Sequence, residues 1–529
     1  MYTEVAALLC LGWFFFIFVV CGIGYVQLFR HYRKPPARAN VLQKPLDRIP
    51  HVTVIRPCKG HEPYLADCLA SSFLQDYPQS KLTIQLCVAS RSDAAVPAVE
   101  SVLKRFPNYD ARLYVEDEDP ALQTADSRDA LGPNPKIRNM SRAYREGRGD
   151  LVWIIDCNVW VSRGACARMV DTLCGYGPNG SLTMAYKLVH HLPLCIDVHE
   201  DYATDRGSRK LLHSMSESHS HHSMDVSSTT KSQHRGFGGR LEELFLSSSH
   251  AKMYVAISTV AIAPCIVGKS NMFRRSDLYG LTRGQGLDYF SHNICEDHLI
   301  GDLLWKSTIG HQETLSDNLE SKGTWRRMGN HGLVKGDLAI QPVAGMGVAG
   351  YMARRVRWLR VRKFTVPAAT AVEPGTESVV CSLLGAWGLA TSSLTRDSAG
   401  STWVWMLCWW LVSMTVWNCV DRTVYLLLHS GVTIEAGDDP DEVPTFARPL
   451  AQKWKGRRKW ATWFRAWLGR EFLAFGIWFW AIWGGVSVTW RERRFWVGLD
   501  MKVHEIPDAS MQRRKTPNGT AADGKVRVD

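Results

Sequence analysis

Glycine-rich phosphate-binding motifs are missing from this sequence. The tripeptide Gly268-Lys269-Ser270 lacks the upstream glycine of a GxxxxGK[ST] motif, and no GxGxxG follows the first predicted strand. In both motifs, backbone amides of a glycine-rich loop bind the phosphate groups. Their absence argues against a P-loop or dinucleotide-binding enzyme. Any phosphate group would therefore have to be bound by basic side chains and a metal ion.

Paired cysteines are missing as well. The chain has 14 cysteines but no CxxC pair and no spacing typical of a zinc site. Several lie inside apolar runs, where a thiol behaves as a small hydrophobic group; these are Cys10, Cys21, Cys87, Cys408 and Cys419. This distribution favours a reduced, cytosol-facing protein over a disulfide framework.

A long uncharged run lies near the N-terminus. Val5–Phe29 contains no charged residue and no histidine over 25 residues, and about 20 are enough to span a bilayer. The preceding MYTE is acidic and no small-x-small cleavage site follows, so we expect a retained anchor and not a signal peptide. Because the basic run RHYRKPPAR comes next, the positive-inside rule places the chain from Arg30 onward in the cytosol.

Three further uncharged runs lie near the C-terminus, at Ser378–Leu394, Trp403–Val420 and Phe472–Trp490. Many of the 21 tryptophans lie in this region, and tryptophan is enriched at membrane–water interfaces. We therefore expect about three C-terminal membrane helices. Whether the last run crosses the membrane or re-enters it stays open, because RERR follows it.

Between these membrane segments, short β-branched runs alternate with segments of helical spacing. HVTVIRP, LTIQLCVAS, ARLYVED and LVWIID predict strands, and YLADCLASSFLQ and MSRAYREG predict helices between them. This alternation is typical of an α/β fold with a Rossmann-like, mainly parallel sheet covered on both faces. Ligands of such sheets bind beyond the carboxyl ends of the strands.

Two acidic residues follow predicted strands at that edge. Asp156 ends the run LVWIID, and Asp93 follows CVASRS. One such carboxylate can hydrogen-bond a nucleoside, and the other can hold a divalent cation against a diphosphate. The pair therefore predicts a nucleotide-sugar site.

Two later motifs extend this pair to a known series. NICEDHLIGDLLW supplies a third aspartate, Asp297. MARRVRWLRVRK supplies the residues of an RxxRW motif, Arg354, Arg357 and Trp358. With Asp93 and Asp156 they form the D, D, D, (Q/R)xxRW series of the processive-type inverting glycosyltransferases. Together with NPKI, LVHHLP and the flanking apolar runs, the sequence resembles the ceramide glucosyltransferases, in their fungal form, as far as about residue 506.

The resemblance implies a GT-A-like catalytic domain at the cytosolic face of a Golgi or endoplasmic reticulum membrane. It would transfer glucose from UDP-glucose to the primary hydroxyl of ceramide, with inversion. Asp297 would be the general base, Arg357 would stabilise the charge on the leaving UDP, and Trp358 would form the floor beneath the acceptor. Substrate contacts would come from other residues in or near the motifs: Asp93, Lys136, Asp156, His190, Glu296 and Arg354. For His190 an ordinary packing role stays open.

A divalent cation is also implied. Asp156 and Asn158 would present oxygen atoms to Mg²⁺ or Mn²⁺. Here the sequence departs from a full acid-x-acid pair, because the second position holds a neutral amide. The other arginines of the RxxRW segment, Arg355, Arg360 and Arg362, are expected to contact lipid headgroups.

The sequence predicts five segments: an anchor (1–29), a basic linker (30–50), the glycosyltransferase domain (51–366), membrane helices (367–490) and a tail (491–529). The Ser- and His-rich insertion at about 205–240 and most of the tail are expected to be disordered, and the insertion at about 434–470 is expected in the cytosol. The apolar stretch MYVAISTVAIAPCIV (253–267) is too short to span a bilayer. It would line an acceptor channel, lie at the interface or belong to the core.

Other functions remain open at the sequence level. A polysaccharide synthase or a dolichyl-phosphate sugar transferase would use the same chemistry. A transporter or scaffold would have lost its catalytic acids, but Asp93, Asp156 and Asp297 are all present. The lipid bilayer is an expected partner, nucleic acid is not, and a homo-oligomer stays open.

Overall fold

The computed structural model describes residues 1–124, 126, 131–198, 236–313, 324–435, 437, 442–451, 456–490 and 493–506. Most of the Ser- and His-rich insertion and the tail beyond residue 506 lie outside these residues, so their expected disorder stays a prediction.

A seven-stranded mixed sheet, in the order β3-β2-β1-β4-β6-β5-β9, lies at the centre of the soluble part. The described strands are β1 (Val52–Pro57), β2 (Leu82–Val88), β3 (Asp110–Val115), β4 (Leu151–Ile155), β5 (Tyr186–Asp197), β6 (Ser270–Arg274), β7 (Gly310–Glu313), β8 (Thr324–Arg327), β9 (Gly329–Val343), β10 (Ser487–Trp490), β11 (Arg493–Val497) and β12 (Val503–Glu505). In the large sheet, β6 runs antiparallel to both β4 and β5, and the other pairs are parallel. The expected α/β class with a mixed sheet is therefore confirmed.

Helices cover both faces of this sheet. The described α-helices are α1 (Tyr2–Tyr32), α2 (Leu65–Ala70), α3 (Val96–Arg105), α4 (Pro135–Glu146), α5 (Ala165–Cys174), α6 (Phe237–Leu246), α7 (Ser249–Val260), α8 (Arg275–Leu281), α9 (Glu296–Lys306), α10 (Val348–Thr365), α11 (Pro367–Val372), α12 (Ser378–Thr391), α13 (Arg396–Ala399), α14 (Trp403–Leu428) and α15 (Trp460–Trp483). One apolar layer packs α2, α3 and α5 against the sheet, and another packs α4, α8 and α9 against its opposite face.

The four strands that the sequence predicts are β1 to β4. Their residues are buried on both faces in β1, β2 and β4, as expected of strands between two helical layers. The reversed strand β6 begins where β4 ends, because Ser270 pairs with Ile155. The segment that enters β6 is thereby brought to the carboxyl ends of the parallel strands.

Two of the described helices, α1 and α14, are long and apolar enough to cross a membrane, and α12 is a shorter apolar helix. Packing of α12 on α1 is close, since a Cβ on Gly388 would lie 3.0 Å from the carbonyl oxygen of Ala7. The expected third C-terminal span takes another form: the run Phe472–Trp490 is divided between α15 and β10. Glycines at 484 and 485 separate the two, and Gly485 has a φ of +105°.

Parts of the two expected insertions and of the tail are ordered. The helix α6 begins at Phe237, inside the expected disordered stretch. Trp463 and Trp467 of α15, expected in a cytosolic insertion, are buried in an apolar core. In the tail, β11 pairs with β10 and β12 in a three-stranded sheet. In each case tertiary packing provides an apolar surface that local composition does not reveal.

Candidate active site

The aspartate that ends β4 is held between two lysines. Asp156 lies at the carboxyl end of the strand with its side chain 24% exposed. Its Oδ1 lies 3.0 Å from Lys136 Nζ, and its Oδ2 lies 3.0 Å from Lys269 Nζ. The backbone amide of Asp156 also donates to the carbonyl of Lys269 at 3.1 Å. The cost of placing a carboxylate at the end of a buried strand is offset by these two charges.

Charge–charge interactions fix the ionisation of this group. Burial acts to raise the pKa of Asp156, but Lys136 and Lys269 outweigh it and hold the pKa below its usual value. Burial acts to lower the pKa of Lys136, but nearby carboxylates raise it overall. At neutral pH the site therefore contains an ionised Asp156 and a protonated Lys136.

Lys136 joins two helix N-termini at the site. It lies in the first turn of α4, where the side chain of Asn134 accepts hydrogen bonds from the amides of Lys136 and Ile137. Its Nζ also contacts Glu296 Oε1 at 3.1 Å, at the start of α9. The side-chain amide of Asn134 donates from Nδ2 to Glu296 Oε2 at 3.3 Å. The N-termini of α4 and α9 are thus bound together beside Asp156.

Asp297 follows Glu296 in the first turn of α9 and faces the segment that leads into β6. A Cβ on Gly268 would lie only 2.7 Å from Asp297 Oδ2, so the carboxylate packs directly against this glycine. Burial raises the pKa of Asp297, and Lys136 and the amide of His298 oppose the shift without cancelling it. Burial also raises the pKa of Glu296. We call Lys136, Asp156, Lys269, Glu296 and Asp297 the acid–lysine cluster.

This cluster could bind a divalent cation only together with the diphosphate of a nucleotide-sugar substrate. In the described part of the chain, no group of three or more His, Cys, Asp or Glu side chains could hold a metal ion. Asn158 lies two residues beyond Asp156 and is buried, at 9% exposed. One carboxylate together with phosphate oxygens and water is a ligand set that Mg²⁺ accepts. Asp156 therefore fits a cation that is bound mainly by a diphosphate.

Asp93 lies in the loop after β2, where it shapes the backbone. Its Oδ1 accepts hydrogen bonds from the amide of Gly60 at 2.8 Å and from that of Ala95 at 2.9 Å. Gly60 follows β1, so Asp93 joins the loops after two neighbouring strands at the expected edge of the sheet. A contact with nucleoside stays a prediction.

The RxxRW residues lie on α10. Arg354 pairs with Glu242 at 3.0 Å and donates to Gln341 at 3.2 Å. Its guanidinium lies over the ring of Trp358, 5.0 Å from the centroid. Arg357 lies on the same helix. The contacts of Arg354 and Trp358 position α10 against α6 and β9.

Two arginines expected at lipid headgroups are buried instead. Arg355 pairs with Glu373 at 3.1 Å and lies over the ring of Phe245. Arg360 donates to the backbone carbonyls of Ser487 and Gly484 after α15. That expectation is wrong for both residues, because carbonyls and carboxylates of the folded chain take the place of headgroups. Arg362, more exposed, lies 3.6 Å from Glu373.

His190 lies on β5 and is buried, at 1% exposed. Its Nδ1 is 2.6 Å from the hydroxyl of Tyr254 on α7. Burial lowers the pKa of His190 far below its usual value, so the ring is neutral. This arrangement agrees with a packing role, one of the two roles that the sequence left open.

Three residues at or near the site are not identified by the sequence motifs. Lys269 and Gly268 belong to the tripeptide that fails as a P-loop motif, and Tyr254 lies in an apolar stretch without an obvious role. A lysine beside a glycine at a strand start is a weak signal. Only the reversed direction of β6 brings Lys269 to Asp156.

One family model and several known relatives match most of this chain. The family described as Glycosyl transferase family 21 matches residues 14–204 and 205–433. A ceramide glucosyltransferase of Pyricularia oryzae is 45% identical over 519 residues, which cover 94% of each chain. One of Gibberella zeae is 41% identical, covering 96% of this chain and 95% of that one. One of Candida albicans is 31% identical, covering 93% and 96%.

Among solved structures, one that matches this chain is the mannosyltransferase PcManGT of Pyrobaculum calidifontis, in complex with GDP-Man and Mn²⁺. It is 16% identical with a TM-score of 0.36, and the match covers 80% of this chain and 96% of that one. At this level of likeness it carries no argument about ligands of the present chain.

Proposed function

The chain belongs to glycosyl transferase family 21, and we propose that it transfers glucose from UDP-glucose to the primary hydroxyl of ceramide, making glucosylceramide. The observation that carries the choice of substrates is the full-length similarity to fungal ceramide glucosyltransferases. The acid–lysine cluster supports the chemistry, since it combines a candidate base with cationic groups suited to a diphosphate.

Asp297 is the general base of the proposed reaction. Inversion needs a single displacement, in which a base takes the proton of the attacking hydroxyl. The carboxylate of Asp297 receives that proton as the hydroxyl oxygen bonds to the anomeric carbon and the bond to UDP breaks. Its contact with Gly268, one residue from Lys269, supports this role, because Lys269 is one of the two lysines proposed to bind the diphosphate.

Lys136 and Lys269 bind the diphosphate and stabilise the leaving UDP. Negative charge increases on the departing oxygen in the transition state, so fixed cations beside it lower the barrier. Both lysines are held in place by Asp156. On α10, Arg357 stabilises the charge on the leaving UDP and Trp358 forms the floor beneath the acceptor. Arg354 fixes α10, and Asp93 binds the uridine.

A divalent cation, Mg²⁺ or Mn²⁺, neutralises part of the diphosphate charge when it is bound with the donor. Asp156 and Asn158 would hold it through their side-chain oxygen atoms.

The proposed location is a Golgi or endoplasmic reticulum membrane, with the acid–lysine cluster on the cytosolic side. Two apolar helices, α1 and α14, support membrane association. Arg30 and His31 at the end of α1 support the orientation. Such a placement puts the cluster beside a lipid acceptor and in the compartment that supplies nucleotide sugars.

The proposal is tested with the full-length protein in lipid nanodiscs, supplied with radiolabelled UDP-glucose and ceramide. We expect labelled glucosylceramide, and cleavage of that product by a β-glucosidase but not by an α-glucosidase, because inversion of the α-linked donor gives a β-glucoside. A labelled polymer, transfer only to dolichyl phosphate, or no transfer at all would refute the proposal. A parallel reaction with UDP-galactose in place of UDP-glucose measures which sugar donor the enzyme prefers.

A further inference from the structure

The apolar stretch 253–267, whose role the sequence leaves open, is divided into two parts. Residues up to Val260 belong to α7, and the remainder is an irregular segment that enters β6. The helix ends at Ala261, which has a φ of +53°. This left-handed conformation turns the chain sharply out of the helix.

The first half of α7 lies against the membrane helix α1. A Cβ on Gly24 would overlap the carbonyl oxygen of Lys252, so the two backbones touch at this point. Cys21 Sγ lies 3.6 Å from Met253 Sδ. Gly24 precedes the end of the uncharged run by five residues, or about 8 Å along a helix. The contact with α7 is therefore at the depth of lipid chains, near the basic end of α1.

Charges on α7 at this depth are fully paired within the protein. Lys252, 2% exposed, forms an ion pair with Asp421 of α14. Arg470 of α15 lies 3.2 Å from the other carboxylate oxygen of Asp421. An ionised group at membrane depth requires such partners. These ion pairs connect α7 to two further helices of the membrane part.

The other end of this stretch reaches the acid–lysine cluster. The irregular segment leads directly to Gly268, against Asp297, and to Lys269, beside Asp156. On α7 itself, the hydroxyl of Tyr254 lies 2.6 Å from Nδ1 of His190 on β5. Residues 253–268 therefore connect the part of α7 that packs on α1 with the candidate base Asp297.

Between these two ends lies a short exposed apolar surface. Residues 259–263 (TVAIA) are all exposed, with Ile262 71% and Val260 48% exposed. The residues directly on either side, 257–258 and 264–265, are half-buried, and the chain is buried beyond them at Val255 and Ile266, which are 2% and 8% exposed. We call residues 259–263 the access loop.

We propose that the access loop binds the hydrocarbon chains of the lipid acceptor and guides its hydroxyl to Asp297. This inference rests on the proposed function, because the acceptor is taken to be ceramide. A two-chain lipid loses apolar contact if it leaves the bilayer. An apolar loop that continues from a helix at lipid depth keeps that contact while the polar head moves towards the base.

Kinetics in nanodiscs test the loop with two changes that introduce a polar side chain of similar size, Ile262→Gln and Val260→Thr. We expect each to raise the KM for long-chain ceramide, by about tenfold for Ile262→Gln, because apolar contact is lost. The KM for UDP-glucose should stay unchanged. The matched control is Leu394→Gln, an equally apolar site, 76% exposed, next to Ser393, which binds Glu4 at the far end of α1. An unchanged KM for ceramide in the loop variants would overturn the inference.

Photolabelling distinguishes the acceptor from bulk lipid. A ceramide with a photoreactive acyl chain should label the peptide that contains residues 259–263, and unlabelled ceramide should suppress the labelling. Equal labelling by a photoreactive phospholipid, without competition by ceramide, would mean that the loop only contacts the bilayer and would overturn the inference. Since both assays start from wild-type protein that makes product, failure of the proposed function shows first as absent product.

Discussion

At the scale of single residues, the two lysines of the acid–lysine cluster explain how three carboxylates share one small volume. Lys136 contacts Asp156 and Glu296 at 3.0 and 3.1 Å, and Lys269 takes the second oxygen of Asp156. Without these cations the carboxylates would repel one another in a poorly solvated site. The same cations attract a diphosphate, so a single arrangement stabilises the free site and prepares it for the donor.

Replacing the candidate base should separate binding from turnover. In Asp297→Asn, we expect kcat to fall by about 10²–10⁴-fold, because the amide cannot take the hydroxyl proton. Binding of UDP-glucose, measured by calorimetry, should persist. Asp302→Asn on the same helix is the control, since Asp302 pairs with the exposed Lys306. Substantial turnover in Asp297→Asn would remove its assignment as base.

A single methyl group at Gly268 should also slow catalysis. In Gly268→Ala, the added carbon would lie 2.7 Å from Asp297 Oδ2 and would displace the carboxylate. We expect kcat to fall by about 100-fold, since displacements of this size at a reacting group have effects of that order. In Gly280→Ala the new methyl meets open space, so activity should be kept. Equal activity of the two variants would contradict the close contact.

Motifs predict part of this site and tertiary structure decides the rest. Asp156, Lys136, Glu296 and Asp297 lie in recognisable segments, and the structure brings them together. Lys269 and Tyr254 could not be found in this way, because their places depend on the direction of β6 and on the packing of α7. Both are long-range features that local spacing does not encode.

At the scale of elements, alternation of apolar runs predicts β1 to β4 correctly but does not reveal the reversal at β6. Strand–helix alternation predicts parallel neighbouring strands. The direction of a reversed strand depends instead on the end of the sheet from which the chain enters it. The same limit applies to α15, whose Arg470 and Glu471 suggest an exposed helix. Both are buried, at 2% and 3% exposed, with Asp421 and Ser378 as partners.

The ion pairs that join α7, α14 and α15 should be essential for stability. Asp421→Asn would leave Lys252 and Arg470 buried without their shared counter-charge. We expect a loss of about 3–5 kcal/mol in the free energy of unfolding, measured by denaturant titration in detergent. Asp397→Asn, with a side chain 88% exposed beside Arg396, should change it by less than about 0.5 kcal/mol. Equal midpoints for the two variants would mean that the buried network is not needed.

At the scale of the whole molecule, α1 does more than anchor the chain. It contacts α12 through Gly385 and Gly388 and α7 through Gly24. Close approach at small residues is a common way for membrane helices to pack. The N-terminal helix is therefore part of the same folded body as the segment that enters the cluster.

Two glycines of α1 test this coupling. Gly24→Leu would push α7 away, and we expect activity to fall by at least about tenfold, as expected when reacting groups are displaced. Gly22→Leu adds the same side chain where nothing lies within 4 Å, so activity and membrane insertion should be kept. Both variants are compared in nanodiscs at equal protein content. Full activity of Gly24→Leu would show that α1 serves only as a tether.

The backbone contact between Gly24 and α7 also bears on biosynthesis. A newly made polypeptide in which α1 has not yet packed against α7 lacks one of the contacts that hold α7, and with it the support for the approach of Gly268 and Lys269 to their acids. We expect such a precursor to leave the cell's nucleotide sugar untouched. Packing of the N-terminal helix and the onset of turnover would then be one event, with no separate activation step.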